Sequence, residues 1–339
     1  LNNKQKILVT GGLGYIGSHT AVALQEAGYE VIIIDDLSNS ELFVLDRIAE
    51  ITGIKPEFHQ IDLKNEELVN EFFRLNSIDG VIHFAAHKAV GESVQKPLMY
   101  HKNNTLGLLN VLEAMKENGQ DHFIFSSSCT VYGQADQMPI DENAPIKKAE
   151  SPYAKTKQMG EEILEDFVAA FEKNVISLRY FNPVGAHPSA LIGELPKGVP
   201  NNLVPFVTQT AAGIREYLSV FGNDYPTRDG TAIRDYIYVC DLADAHVRAL
   251  TRLIEKKNKS LMEVFNLGTG IGSTVLEVVK AFEKINGLEL NYKLVDRRAG
   301  DIIEAFADNT LAEKELGWKP ETSLDESMRT AWEWQKGLK

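Results

Sequence analysis

The run Lys6-Ile7-Leu8-Val9-Thr10 passes directly into Gly11-Gly12-Leu13-Gly14-Tyr15-Ile16-Gly17. An apolar strand ending on glycines at 11, 14 and 17, followed by a helical pattern, restricts the fold sharply. The glycines permit a tight turn and let backbone N–H groups approach a pyrophosphate at the start of the next helix. G-x-x-G-x-x-G is a variant of the dinucleotide-binding fingerprint, and its position between strand and helix makes it specific.

The first half of the chain continues the alternation. Residues 7–10, 31–35, 57–60, 81–84, 122–126 and 175–179 read as strands, and 15–27, 66–75, 97–116 and 152–171 as helices. Such alternation predicts βαβ units and a parallel sheet covered on both faces. Val31-Ile32-Ile33-Ile34 has the unbroken apolar character of a strand buried on both sides. Turn formers gather after Phe181, in Asn182-Pro183-Val184-Gly185-Ala186-His187-Pro188 and again over 193–202. The expected fold is α/β: a Rossmann-type doubly wound parallel sheet with a smaller C-terminal α/β substrate domain. The expected division is 1–182 for the dinucleotide domain, with 235–257 crossing back to it, and 183–339 for the second domain.

Bulk properties narrow the partners. With 35 Lys plus Arg against 48 Asp plus Glu the net charge is −13, which disfavours nucleic acid and anionic membrane surfaces. No apolar run approaches the roughly 18 residues of a membrane helix. Two cysteines, Cys129 and Cys240, give no disulfide framework and fit a reducing compartment. The chain enters a strand pattern with no secretory leader ahead of it, so a cytoplasmic protein is expected. The sequons at Asn103 and Asn258 are accordingly read as chance.

The second strand ends at Asp35-Asp36, about 20 residues after the glycines, where a carboxylate accepts hydrogen bonds from a ribose hydroxyl. It would repel a 2′-phosphate, and no Arg occurs nearby before Arg47, so NAD is favoured over NADP. Asp62-Leu63 and Phe84-Ala85-Ala86 follow the next strands, on the side where such sheets bind ligands. Further along, Ser151-Pro152-Tyr153-Ala154-Lys155-Thr156-Lys157 places Tyr153 and Lys157 at i and i+4, on one helix face. A tyrosine titrates near 10 and is a poor neutral-pH base, but a lysine cation or a positively charged nicotinamide beside it lowers that value. Ser126-Ser127-Ser128 closes the fifth strand and brings a hydroxyl to the same edge.

Together these residues resemble the extended short-chain dehydrogenase/reductase superfamily, across nearly the whole chain. More narrowly, the blocks at 11–20, 83–94, 125–133, 179–188, 221–226 and 230–237 resemble the UDP-glucose 4-epimerase family. The resemblance implies that Tyr153 takes the proton of the sugar 4-hydroxyl, that Ser128 shares that hydrogen bond, and that Lys157 holds the nicotinamide ribose. It implies NAD contacts from Gly11, Gly14, Tyr15, Ile16, Gly17, Asp35, Asp36, Leu37, Ser38, Asn39 and Ser40. Asp62, Leu63, Phe84, Ala85, Ala86, His87, Lys88, Asn103 and Phe181 complete that set. Asn182, Asn202, Leu203, Ser219, Val220, Phe221, Arg234, Arg298 and Asp301 would bind a UDP-hexose, the two arginines matching the diphosphate. The implied reaction is reversible interconversion of UDP-glucose and UDP-galactose through a 4-keto sugar, with NAD regenerated in each cycle, in a homodimer. Ala305 departs from part of the family, which has a bulky Tyr there; the smaller residue predicts acceptance of UDP-N-acetylhexosamines.

Alternatives stay open at this level. A nucleotide-sugar 4,6-dehydratase would need an Asp-Glu pair after the serine-rich strand, where this chain has Thr130-Val131. A UDP-uronate 4-epimerase would need a cation near the sugar carboxylate. A non-catalytic NAD-binding regulator would not need Ser128, Tyr153 and Lys157 together. His83 and His87 are spaced like metal ligands but span a strand end and lack Cys or acidic partners, so no metal is expected.

Overall fold

The computed structural model describes residues 4–297 and 301–338. The described residues form two compact units, 4–133 with 146–179 and 243–265, and 134–145 with 180–242, 266–297 and 301–338.

The first unit is built on a seven-stranded sheet. Its first six strands in chain order are β1 (Lys6–Thr10), β2 (Glu30–Asp35), β3 (Glu57–Gln60), β4 (Gly80–His83), β5 (His122–Ser128) and β6 (Asn174–Tyr180). Their spatial order is β3-β2-β1-β4-β5-β6, with Met262–Leu267 outside β6. The pairings of β1 with β2 and β4, of β2 with β3 and of β4 with β5 are parallel. The order reverses at β1, so a crevice opens between the carboxyl ends of β1 and β4, where doubly wound sheets bind ligands. Val31, Ile32, Ile33 and Ile34 are all buried, as expected for branched side chains in a strand covered on both faces.

Helix α1 (Tyr15–Glu26) starts at Gly14 without a side-chain cap, which leaves its first N–H groups directed at the crevice. The helix Pro152–Phe171 starts cleanly because Ser151 caps it, accepting from Ala154 N at 3.1 Å, and Pro152 takes the first turn. Its inward stripe includes Ala154, Lys157, Gly160, Glu161 and Leu164. The segment read from sequence as one helix over 97–116 is interrupted. Pro97–His101 and Gly107–Asn118 are α-helical, and Lys102–Leu106 forms a π turn between them.

The second unit consists of small sheets and four helices. Asn182–Val184 pairs with Tyr236–Tyr238, and Leu218–Phe221 with Tyr292–Val295, both in parallel. Ile233–Arg234 lies between Ser273–Thr274 and Glu304–Ala305. Residues 134–145 join this unit through Ile140, which donates to Phe306 O and accepts from Asp308 N. Val207, Val220, Val278, Phe282 and Met328 form its core, against helices Leu203–Ala211, Val275–Asn286 and Leu324–Gly337. The fully buried Trp318 donates its indole N–H to Asp241 O at 2.8 Å.

Candidate active site

Within the first unit, the glycine turn is packed too tightly for any other residue. Gly11 has φ +67°, and a Cβ on it would lie 2.8 Å from Ala85 N. A Cβ on Gly17 would lie 2.3 Å from Gly11 O, and one on Gly14 3.2 Å from the same oxygen. Asp35 turns inward from the end of β2. Its carboxylate accepts from Leu13 N at 3.1 Å, Leu37 N at 2.9 Å and Ser40 Oγ at 2.6 Å. Burial raises its pKa, and those three hydrogen bonds act in the opposite direction. A carboxylate offers about four acceptor directions, so one remains for a ribose hydroxyl. Asp36 accepts from Ser38 N at 2.8 Å, and Ser38 and Asn39 form the exposed tip of this loop.

Asp62 follows β3 and pairs with Lys64 at 2.8 Å. Burial alone would raise its carboxyl; the Lys64 hydrogen bond and charge outweigh that and hold it below the ordinary value. Lys64 also donates to Asn103 Oδ1 at 3.1 Å. Leu63 is buried, with its carbonyl accepting from Asn110 Nδ2 at 2.7 Å. Beyond β4, Phe84 N donates to Thr10 O, which runs the Phe84–Ala86 backbone past the glycine turn. Lys88 Nζ lies 5.6 Å from the centroid of the Tyr15 ring. Small residues at one crossing and a carboxylate at the next strand end fit the dinucleotide expected there.

Ser128, Tyr153 and Lys157 occupy the same edge. Ser128 ends β5 and accepts from Thr130 Oγ1 at 3.0 Å, which leaves its own proton for a further partner. That partner is Tyr153. Burial pushes the Tyr153 phenol up to about 12, and its hydrogen bond with Ser128 pulls the other way. Lys157 is buried; its Nζ donates to Ser126 O and, at 3.2 Å, to Ser126 Oγ, and lies 4.9 Å from the Phe125 ring centroid. Burial lowers its pKa to about 7, against the charge of Glu161. The sequence argument had Lys157 depressing Tyr153; burial outweighs any such effect here.

His83, considered above as a metal ligand, is a core histidine. It is 2% exposed, its Nδ1 lies 2.9 Å from Thr10 Oγ1, and its ring stacks on Phe125 at 15°. Burial, aided by the Lys157 charge, lowers its pKa to about 3, so the imidazole is neutral. Among the described residues no group of three or more His, Cys, Asp or Glu is placed to hold a metal ion.

Three site features had no reading in the sequence. Asn104, in the π turn, accepts from His87 N at 2.8 Å and donates to His87 O and Thr156 Oγ1, each at 3.0 Å. Thr156 in turn donates to Tyr153 O at 2.7 Å. One amide thereby ties the loop after β4 to the tyrosine's own helix turn. Glu161 and Arg179 form a buried pair at 2.7 Å; an acid four residues after Lys157, on the inward stripe of the same helix, was the available signal. Asp235, fully buried, accepts from the backbone of Thr269, Gly270 and Ala307.

In the second unit, Arg234 Nη2 donates to Asp301 Oδ1 at 2.6 Å and Nη1 to Ile233 O at 2.8 Å. Ala305 is buried and pairs in register with Arg234. Asn182 N donates to Asp235 O at 2.9 Å. Asn202 stands at the N-cap position of the helix that begins at Leu203 without a side-chain capping bond, and its side chain donates instead to Glu194 Oε1 at 2.6 Å. Ser219, Val220 and Phe221 run along the strand paired with Tyr292–Val295, and Phe181 N donates to Leu267 O. Arg298 lies outside the described residues.

A family model described as GDP-mannose 4,6 dehydratase matches residues 8–331. The UDP-glucose 4-epimerase of Bacillus subtilis (strain 168) is 52% identical over 330 residues, covering 97% of this chain and 96% of its own. Among solved structures, a UDP-glucose-4-epimerase from Stenotrophomonas maltophila with bound NAD and formylated UDP-arabinopyranose superposes with a TM-score of 0.95. It is 47% identical, and the match covers 98% of both chains. The UDP-glucose 4-epimerase from Bifidobacterium longum, in complex with NAD+ and UDP, gives a TM-score of 0.94 at 45% identity, covering 98% of this chain and 99% of its own.

Proposed function

Since this chain belongs to the UDP-glucose 4-epimerase family of the extended short-chain dehydrogenases/reductases, we propose that it interconverts UDP-glucose and UDP-galactose through a 4-keto sugar. It is an NAD-dependent isomerase. NAD, when bound, accepts hydride from C4 of the hexose and returns it, so the net redox change is zero. Gly11, Gly14 and Gly17 hold the pyrophosphate and Asp35 the ribose.

The observation that carries the reading is the Thr130–Ser128–Tyr153 relay beside Lys157. Ser128, fed by Thr130, donates to Tyr153 and so favours the phenolate that takes the 4-hydroxyl proton. Lys157 supplies a positive charge that opposes the effect of burial on Tyr153. The same proton goes back to the 4-keto oxygen from Tyr153 in the second half of the cycle. Thr130 also weighs against dehydration, since elimination needs an acid there and a hydroxyl already committed to Ser128 does not provide one.

Arg234 spends two donors on Ile233 O and Asp301 and has further guanidinium donors for a diphosphate. Asn182, Asn202, Leu203, the strand at Ser219–Phe221, Asp301 and Arg298 complete our assignment of the nucleotide-sugar site. Acceptance of UDP-N-acetylhexosamines is supported by Ala305, which offers only a methyl group. The neighbouring Phe306 ring lies against Gly272, where a Cβ would meet it at 3.1 Å. The homodimer is supported by Val90, Val94 and Leu98, exposed on adjacent helices, Leu98 at 81%. A second copy would cover them, and sedimentation reads the mass. The scarcity of cysteine, with only Cys129 and Cys240 in 339 residues, supports a cytoplasmic setting.

The test is an assay panel. Purified enzyme incubated with UDP-galactose is expected to form UDP-glucose without added NAD, and UDP-N-acetylglucosamine to form its 4-epimer. No conversion of UDP-galactose overturns the main reading; absence of the N-acetylated reaction alone overturns only the substrate range.

A further inference from the structure

Directly behind the reactive trio lies a buried polar cluster that the reaction above does not use. Glu161, one turn beyond Lys157, accepts at Oε1 from Ser127 Oγ (2.6 Å), Ser177 Oγ (2.8 Å) and Arg179 Nε (3.0 Å), and at Oε2 from Arg179 Nη2 (2.7 Å). Arg179 Nη1 donates to Tyr132 OH at 2.9 Å. Every member is buried. Ser127 immediately precedes Ser128 on β5, Ser177 and Arg179 point from one face of β6, and Tyr132 belongs to the turn after β5.

Stability does not account for such a cluster. Desolvating an ion pair offsets its Coulomb attraction, and apolar replacements of similar volume are often as stable. Its location does account for it. Gly160 lets the helix approach β5 so closely that a Cβ there would meet the Phe125 ring at 2.5 Å, and the Ser127–Glu161 bond fixes the register of that approach. Ser128 is thereby set against Tyr153, one on each element. The same carboxylate pairs with Arg179 on β6 and acts on Lys157 from one helical turn away, its negative charge favouring the lysine cation.

We propose that Glu161 is a positioning residue for the reaction: it pins the strand end bearing Ser128 to the helix bearing Tyr153, and it sets its own negative charge, tempered by Arg179, one turn from Lys157. The proposal rests on the epimerase reading above. The titratable and charged groups around Lys157 are Tyr153 and Glu161 on its own helix, His83 on β4 and Arg179 on β6. Of these, His83 is neutral at working pH, so the Glu161 charge, tempered by its Arg179 partner, sets the local field.

Two variants of the holoenzyme separate an electrostatic role from mere structural support, because their effects have opposite sign. Glu161→Gln leaves Arg179 uncompensated; Arg179→Met leaves Glu161 uncompensated. Lys157 is followed by NMR of side-chain-labelled lysine, and the alkaline limb of kcat for UDP-galactose is followed in parallel. The Lys157 midpoint and the alkaline limb are expected to fall by about one pH unit, a tenfold loss of proton affinity, in Glu161→Gln, and to rise in Arg179→Met. Movement in neither, or in the same direction in both, overturns the proposal. If only one variant folds, the sign of its shift decides. If neither folds, Ser127→Ala tests the pin: a drop in kcat of about fivefold or more at unchanged KM is expected, and wild-type kcat refutes it. If the wild-type enzyme fails to convert UDP-galactose, the functional reading fails, and the lysine titration still judges the charge relation.

Discussion

His83 makes the stability of the first unit depend on pH in a way that can be worked out in advance. Unfolded, the imidazole titrates at its ordinary 6.5; folded, it resists protonation down to about 3. Between those values the unfolded chain binds the proton and the folded one does not, so stability falls as pH falls through that window. At pH 5 the penalty is about 2 kcal/mol, and its ceiling, reached below pH 3, is about 5 kcal/mol. The group is fully buried, so solvent screening does not reduce these figures. The perturbation is His83→Asn, which keeps a polar atom near Thr10 and does not titrate. It loses the stack on Phe125 and is less stable overall; only the pH dependence is at issue. Urea unfolding of both proteins at pH 7.5, 6 and 5 is the assay. Wild type is expected to lose about 2 kcal/mol more than the variant between pH 7.5 and 5. His87, His122 and His187 are also depressed by burial, but both proteins share them, so they cancel in the comparison. Equal slopes would refute the argument, as would a His83 ring resonance that titrates above pH 5.

Tyr153→Phe removes the atom proposed to transfer the proton and is expected to lower turnover of UDP-galactose by roughly 10²–10⁴-fold with the melting temperature little changed; wild-type turnover would remove Tyr153 from its proposed role. Gly17→Ala forces a Cβ to 2.3 Å from Gly11 O, and since a backbone atom cannot yield cheaply, the purified protein is expected to retain far less NAD, read by absorbance of the extracted nucleotide. Arg234→Gln loses the proposed charge-assisted contact to the diphosphate, of about 1.5–3 kcal/mol, so calorimetry should find UDP bound some ten- to a hundredfold more weakly, with NAD content unaltered.

What the sequence reveals here follows the range of the interactions involved. The glycine turn, the Tyr153–Lys157 pair and the Ser151 cap are local, and their spacing along the chain defines them. Asp35 is legible as a strand-end acid, but its inward turn onto Leu13 N requires β1 and β2 already paired. The Thr10–His83 contact spans 73 positions and Ser127–Glu161 spans 34; each depends on which strand or helix lies next to which, information no periodicity carries. The effect of burial on Tyr153 has the same origin, since it is set by everything folded around the phenol. For Arg234 the residue type pointed to a phosphate, yet its partner Asp301, 67 positions away, emerged only from the fold.

The π turn at Lys102–Leu106 makes chain length, rather than composition, the sensitive property of its segment. A π turn is an α-helix carrying one surplus residue, so removing any one residue between 102 and 106 would restore unbroken helical hydrogen bonding and leave local propensity satisfied. The loss would appear elsewhere. Each residue turns a helix by about 100°, so the flanking pieces would change phase. Tyr100, whose hydroxyl donates to Glu92 and accepts from Ala89 N, and the buried stripe of Leu108, Val111 and Leu112 could not both face inward. Point substitutions in this stretch are therefore the mild lesions, and single-codon deletions the severe ones, an asymmetry that an insertion-and-deletion scan would display directly.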